Sequence, residues 1–65
     1  MIDYAPFWET LKRSKESTYT LINNYNISSS TINRLRNRQG ISTNTIDELC
    51  KALKCRVEDI IEYKE

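Results

Sequence analysis

Apolar positions along the chain fall into five groups, each with helical spacing. Tyr4, Phe7, Trp8 and Leu11 recur at i, i+3, i+4 and i+7, one face of an α-helix. That spacing predicts a first helix over about residues 6–14. Pro6 suits its first turn and Lys12, Arg13 and Lys15 suit its negative end. Thr18, Leu21, Ile22 and Tyr25 line a second helix, opened by Ser17 as N-cap and closed by Asn26, which tolerates the left-handed conformation. Ile32 and Leu35 give a third helix, about Ser28 to Asn37, a narrow buried face. Ile46, Leu49, Cys50 and Leu53 stripe a fourth, about Thr43 to Leu53, the expected core helix. Val57, Ile60 and Ile61 predict a fifth, shorter helix, fraying through Tyr63 into a charged tail.

Two helix starts share one hexapeptide pattern. Ile27-Ser28-Ser29-Ser30-Thr31-Ile32 and Ile41-Ser42-Thr43-Asn44-Thr45-Ile46 both read I-S-x-x-T-I. The serine is placed to cap, and the flanking isoleucines occupy the N′ and N4 positions of a hydrophobic staple. Between the two starts, Gln39-Gly40 is the expected loop, with Gly40 supplying backbone freedom.

Projected at 100° per residue, Ser30, Asn33, Arg34 and Asn37 lie opposite Ile32 and Leu35, with Ser29 and Arg36 at the flank. Every side chain of that outer face is a hydrogen-bond donor and none is acidic. Charge is segregated to match. Residues 1–16 sum to zero, residues 17–45 carry Arg34, Arg36 and Arg38 with no acid, and residues 46–65 sum to −2, leaving a net +1. A solvated face normally mixes both signs. Two short helices meeting at a tight corner, the second with an acid-free polar face, point to a helix-turn-helix that reads double-stranded DNA. Ser29 and Ser30 let the helix end approach closely, Arg34 can fork onto guanine, and Asn33 can pair with adenine. Arg36 and Arg38 suit phosphates, as do the helix starts at Ser17, Ser28 and Ser42.

Sixty-five residues make one small domain, residues 1–65, near the lower limit for a core without staples. The single Gly and single Pro and the scarcity of alternating β-branched runs favour an all-α fold. Cys50 and Cys55 are the only cysteines and His is absent, too few soft ligands for a zinc site; Cys50 on an apolar stripe reads as a buried, inert thiol. No metal or cofactor is expected. The sequence has no signal-peptide pattern and no run near the ~20 apolar residues of a membrane span, which predicts a cytoplasmic protein. Without His, a Gly-rich phosphate loop or a second lobe, nothing suggests an enzyme or a small-molecule substrate.

The stretches STYTLINNYNISSSTINRL and ISTNTIDELCKALKCRVEDII resemble the phage-repressor-like, Cro/Xre class of helix-turn-helix proteins, short bacterial transcriptional regulators among them. The resemblance covers nearly the whole chain and implies a compact five-helix, lambda-repressor-like DNA-binding domain. Carried over by position, it implies base reading at Ser29, Ser30 and Arg34. It implies backbone contacts at Thr18, Asn37, Arg38, Thr43 and Asn44. Departures are Ile22 for a small residue in the second helix, Asn26 for the corner glycine, Lys54 for the glycine after the fourth helix, and Arg56 for a common cap. The last two predict a less firmly held C-terminal helix. The motif also implies a homodimer, although no dimer seam is visible. The rival reading is a protein-interaction or antitoxin-like module on the same fold, using Tyr4, Tyr63 and the fifth helix.

Overall fold

Serine hydroxyls start three of the four helices. The computed structural model describes all 65 residues and orders them as β1 (Ile2–Asp3), α1 (Ala5–Arg13), α2 (Thr18–Tyr25), α3 (Ser29–Arg36), α4 (Thr43–Leu53), a 3-10 turn (Val57–Asp59) and β2 (Glu62–Tyr63). Ser28 Oγ accepts the Thr31 N–H at 3.1 Å and Ser42 Oγ accepts the Thr45 N–H at 3.1 Å. Ser17 does the same for Thr20 at 3.2 Å, and Thr20 Oγ1 returns the favour to the Ser17 N–H at 2.8 Å. That reciprocal pair is a capping box with threonine in the usual Glu/Gln place. The I-S-x-x-T-I repeat is thus two of three S-x-x-T starts. Its staple isoleucines enter the interior unequally: Ile27 and Ile32 are buried, Ile41 and Ile46 half-buried.

One core of nine buried side chains ties the elements together: Tyr4 and Phe7, Leu21, Ile27, Ile32 and Leu35, Leu49 and Ala52, and Ile60. Tyr4 also donates from its hydroxyl to the Gln39 carbonyl at 2.6 Å, pinning the chain after α3 to the start of α1. In α4 the buried pair is Leu49 and Ala52, while Ile46, Cys50 and Leu53 are half-buried. The expected stripe is therefore rotated toward Ala52. Tyr25, expected on the buried face of α2, is exposed and donates to Glu16 Oε2 at 3.1 Å; the same carboxylate accepts from Thr20 Oγ1 at 2.8 Å.

The fold is helical with four helices; the fifth is corrected to a single 3-10 turn. Two long-range bonds explain why. The Asp59 carbonyl, which a continuing helix would need for its own ladder, accepts from Thr10 Oγ1 at 2.8 Å. Beyond Ile60 the expected fraying tail is instead a strand: β2 pairs antiparallel with β1, Ile2 opposite Tyr63 and Asp3 opposite Glu62. The Lys64 N–H extends the ribbon to the Met1 carbonyl at 2.8 Å, and Lys64 Nζ lies 3.1 Å from Asp3 Oδ2.

The turn after α3 also differs from expectation. Gly40 has no positive φ and Arg38 does, at 59°. The Gln39 N–H bonds the Arg34 carbonyl at 2.8 Å, a 6→1 bond that requires the left-handed residue one place earlier. Asn26 at 58° and Lys54 at 52° end α2 and α4 in the same conformation. Of the three only Asn is suited to it. A Cβ on Gly40 would meet nothing within 4 Å. Gly40→Ala is therefore expected to stabilise the protein by about 0.4–1 kcal/mol through the unfolded chain. Lys54→Gly should stabilise by up to roughly 1 kcal/mol, relief of the left-handed conformation outweighing the added chain entropy. Urea melts of both variants check this, and destabilisation by Gly40→Ala would show that the loop does use its glycine.

Candidate nucleic-acid interface

Ile32 and Leu35 pull α3 onto the core and leave its opposite face in water. Ser29, Ser30, Asn33 and Arg34 are all exposed, as are Ser28, Arg36, Asn37 and Arg38 around them. No ion pair in the protein involves Arg34, Arg36 or Arg38, so three guanidinium groups stand without a carboxylate partner. At the start of α4, Thr43 and Asn44 are exposed; at the start of α2, Thr18 is half-buried. The first amides of each helix have no intrahelical acceptor, and the helix dipole adds partial positive charge there.

The capping serines are less free than their exposure suggests. Ser28 Oγ is 3.0 Å from Thr31 Oγ1 as well as accepting the Thr31 amide, and Ser42 Oγ is 3.0 Å from Thr45 Oγ1. Their hydroxyls are engaged in the cap, and what the helix starts offer an anion is chiefly backbone N–H.

At the other end of α3, the structure brings together residues that lie far apart in sequence. The Arg36 guanidinium carbon sits 5.7 Å from the centroid of the Trp8 ring, within cation–π range. Trp8 in turn packs against the buried Phe7 ring in a T-shaped arrangement, centroids 4.9 Å apart. Trp8 is thus only half a core residue: it packs on Phe7 and its ring carries a cation. Arg36, Arg38 and Trp8 border a cleft of about 330 Å³ that also takes in Asp3, Tyr4 and Lys64. The sequence marked Arg36 and Arg38 singly; Trp8 and Lys64 were missed at this site, since only the tertiary fold and the terminal ribbon bring them there. The Tyr4 ring is 4 % exposed, which withdraws it from the protein-docking surface of the rival reading. Tyr63 is exposed, and the fifth helix of that surface is absent.

A family model described as a Cro/C1-type HTH DNA-binding domain matches residues 7–65. The chain belongs to that family. Comparison with curated proteins and with solved structures gave no match. No helix is long and apolar enough to cross a membrane.

Metal and thiol chemistry have little to work with. No group of three or more His, Cys, Asp or Glu side chains is arranged to hold a metal ion. Both cysteines are free and half-buried, so Cys50 is less buried than its place on the apolar stripe predicts. The two line an open apolar groove with Ile46, Val57 and Ile61. The Cys55 N–H bonds the Cys50 carbonyl at 3.1 Å, placing the pair at the two contact positions of a helix-ending motif. Burial, and then the neighbouring Cys50, push the Cys55 thiol up to about 11 from an ordinary 9.0; burial also raises Cys50. At neutral pH Cys55 is therefore protonated and a poor nucleophile. In a Cys50→Ser variant, which removes the neighbouring thiol and keeps the burial, its alkylation by iodoacetamide should still go on rising with pH past the ordinary 9.0. A rate that levels off near 9.0 would show an unperturbed thiol.

Proposed function

We propose that this Cro/C1-type domain is a transcriptional regulator, acting as a repressor, that binds specific double-stranded DNA with α3 in the major groove. The observation that carries the reading is the exposed, acid-free face of α3 with Arg34 and Arg36 on it and Arg38 just after it, none of the three in an ion pair. A groove about 12 Å wide admits one helix. The small side chains at Ser29 and Ser30 allow its N-terminal end to approach the base edges. Arg34, one turn on, forks onto guanine, and Asn33 reads adenine. Backbone phosphates are held at Thr18 and Ser28, at Arg36, Asn37 and Arg38, and at Thr43 and Asn44. Contacts at three helix starts explain how a domain of net charge +1 could grip a polyanion.

In this reading residues 1–65 form one domain that needs no cofactor, carries out no catalysis and works in the cytoplasm. It binds as a homodimer on a near-palindromic site with half-sites about one helical turn apart. The rival protein-interaction reading loses support with the burial of Tyr4 and the loss of the fifth helix.

Selection of bound duplexes from a random pool tests the reading directly, since it returns both an operator and its symmetry. Affinity for the selected duplex should fall with salt, with a slope of about −0.9 per phosphate neutralised. Arg34→Ala should cost about 1–3 kcal/mol and relax the preference at one base pair. An equal loss on all duplexes would make Arg34 a phosphate contact, and an unenriched pool would overturn DNA reading. Sedimentation with the selected duplex should give two chains per site; one chain would remove the dimer.

A further inference from the structure

We infer that the cleft at the end of α3 is a phosphate-binding site, in which Arg36, Arg38 and Lys64 hold one phosphate and Asp3 is the internal anion that it displaces. The cleft brings three cations and one carboxylate into about 330 Å³, a net charge of +2 in a chain whose total is +1. Two of the cations, Arg36 and Arg38, have no ion-pair partner, and the third is held by Asp3: Lys64 Nζ lies 3.1 Å from Asp3 Oδ2 and 3.9 Å from Glu62 Oε2. The Lys64 side chain is 56 % exposed and that of Asp3 14 %. The ammonium can therefore turn toward an incoming anion while the carboxylate stays fixed, its other oxygen accepting the Ala5 N–H at 3.1 Å.

The hydrogen bond from Lys64, then the one from the Ala5 amide, with the charges of Lys64 and Arg38 adding to them, hold the Asp3 carboxyl below its ordinary 3.8. It is ionised at neutral pH and occupies the positive potential until a stronger anion arrives. Arg36 is preset by the Trp8 face, and Arg38 by a backbone conformation fixed through the Gln39–Arg34 bond. Planar forks and a mobile ammonium lining one cleft suit a tetrahedral, multiply charged oxyanion. β1, which carries Asp3, lies ahead of the residues matched by the family. The cleft is thus partly built from chain outside the shared domain. That the phosphate belongs to a DNA backbone rests on the function proposed above; a free phosphate offers the same chemistry.

The test uses the intact chain and Asp3→Asn, which keeps the acceptor for Ala5 and removes the charge. Affinity for a duplex of arbitrary sequence should rise roughly two- to fivefold, the equivalent of freeing one exposed ion pair. Lys64→Gln should weaken binding by a similar factor and make the salt slope shallower by about 0.9. The double variant should recover part of the affinity lost in Lys64→Gln, because the Asp3 charge also faces the arginines of the cleft. Circular dichroism confirms folding at the assay temperature. Trp8, the only tryptophan, reports on the cleft by its emission during titration with inorganic phosphate. If no duplex binds but phosphate shifts Trp8 emission, more readily in Asp3→Asn, the cleft stands and the DNA reading falls. If duplex binds and neither variant changes affinity or slope, the cleft is overturned and the DNA reading survives. A looser complex with Asp3→Asn, the result of a purely structural ribbon, overturns it as well, as does silence toward both duplex and phosphate.

Discussion

Helices of eight to eleven residues are too short to persist by themselves, because the cost of nucleation is spread over too few bonds. In so small a protein the ends of the helices decide the architecture. The S-x-x-T start is the device on which three of them depend. Each serine hydroxyl accepts from one amide of the first turn, at roughly 1 kcal/mol apiece. By fixing the first residue of α3, it also fixes which side chains fall on the core face. A start one residue later would leave the isoleucine of the staple unpaired with its N4 partner. The cap uses up the hydroxyl and the third amide, and it leaves the first amides pointing outward. Local stability and an anion-attracting helix end thus come from one arrangement.

The ends are asymmetric. Starts use residues chosen for the task, whereas two of three left-handed stops fall on long cations, Arg38 and Lys54, where glycine would be less strained. At Arg38 the placement has a chemical consequence. The left-handed turn reverses the chain directly after α3, and the guanidinium leaves the helix face for the cleft that holds Arg36. A glycine there would make the same turn and remove the charge. The one glycine of the chain lies two residues further on, in ordinary backbone. At Lys54 no corresponding contact offsets the strain.

What could be read in the chain follows the range of the interaction. The four helices, their three serine caps and the Asn26 stop were legible because their determinants lie within four residues: apolar spacing, an S-x-x-T start, an Asn stop. α4 matches its expected bounds, Thr43–Leu53. The fifth helix was misread because Thr10 takes the Asp59 carbonyl across 49 positions and β1 takes the chain just beyond, neither of which leaves a mark in the local pattern. Tyr25 was misread because a carboxylate nine residues back, Glu16, gave its hydroxyl a partner in solvent. The polar face of α3 was legible from its angular positions alone. The Trp8–Arg36 stack and the Asp3–Lys64 pair were not, since the first joins the start of the chain to its middle and the second joins its two ends.

The terminal ribbon, only two residues on each strand, carries more than its size suggests. An isolated pair this short has no independent stability, so it is held by what flanks it: Tyr4 buried immediately after β1 and Ile60 buried shortly before β2. Those two anchors deliver Asp3 and Lys64 side by side at the edge of the cationic cleft. A charged tail that frayed, as the pattern first indicates, would have left Lys64 sampling solvent and the cleft with two cations instead of three. The acidic C-terminal segment, which lowers the net charge and looks unhelpful to a polyanion-binding domain, therefore contributes one positive charge where the arginines already are. Of its carboxylates, Asp47 pairs with Lys51 and Glu58 with Arg56, both in water, while Glu62 lies 3.9 Å from Lys64 Nζ. Only Asp3 is placed against the cleft. It is this single carboxylate, set by a strand outside the matched domain, that stands between the three cations and any phosphate they meet.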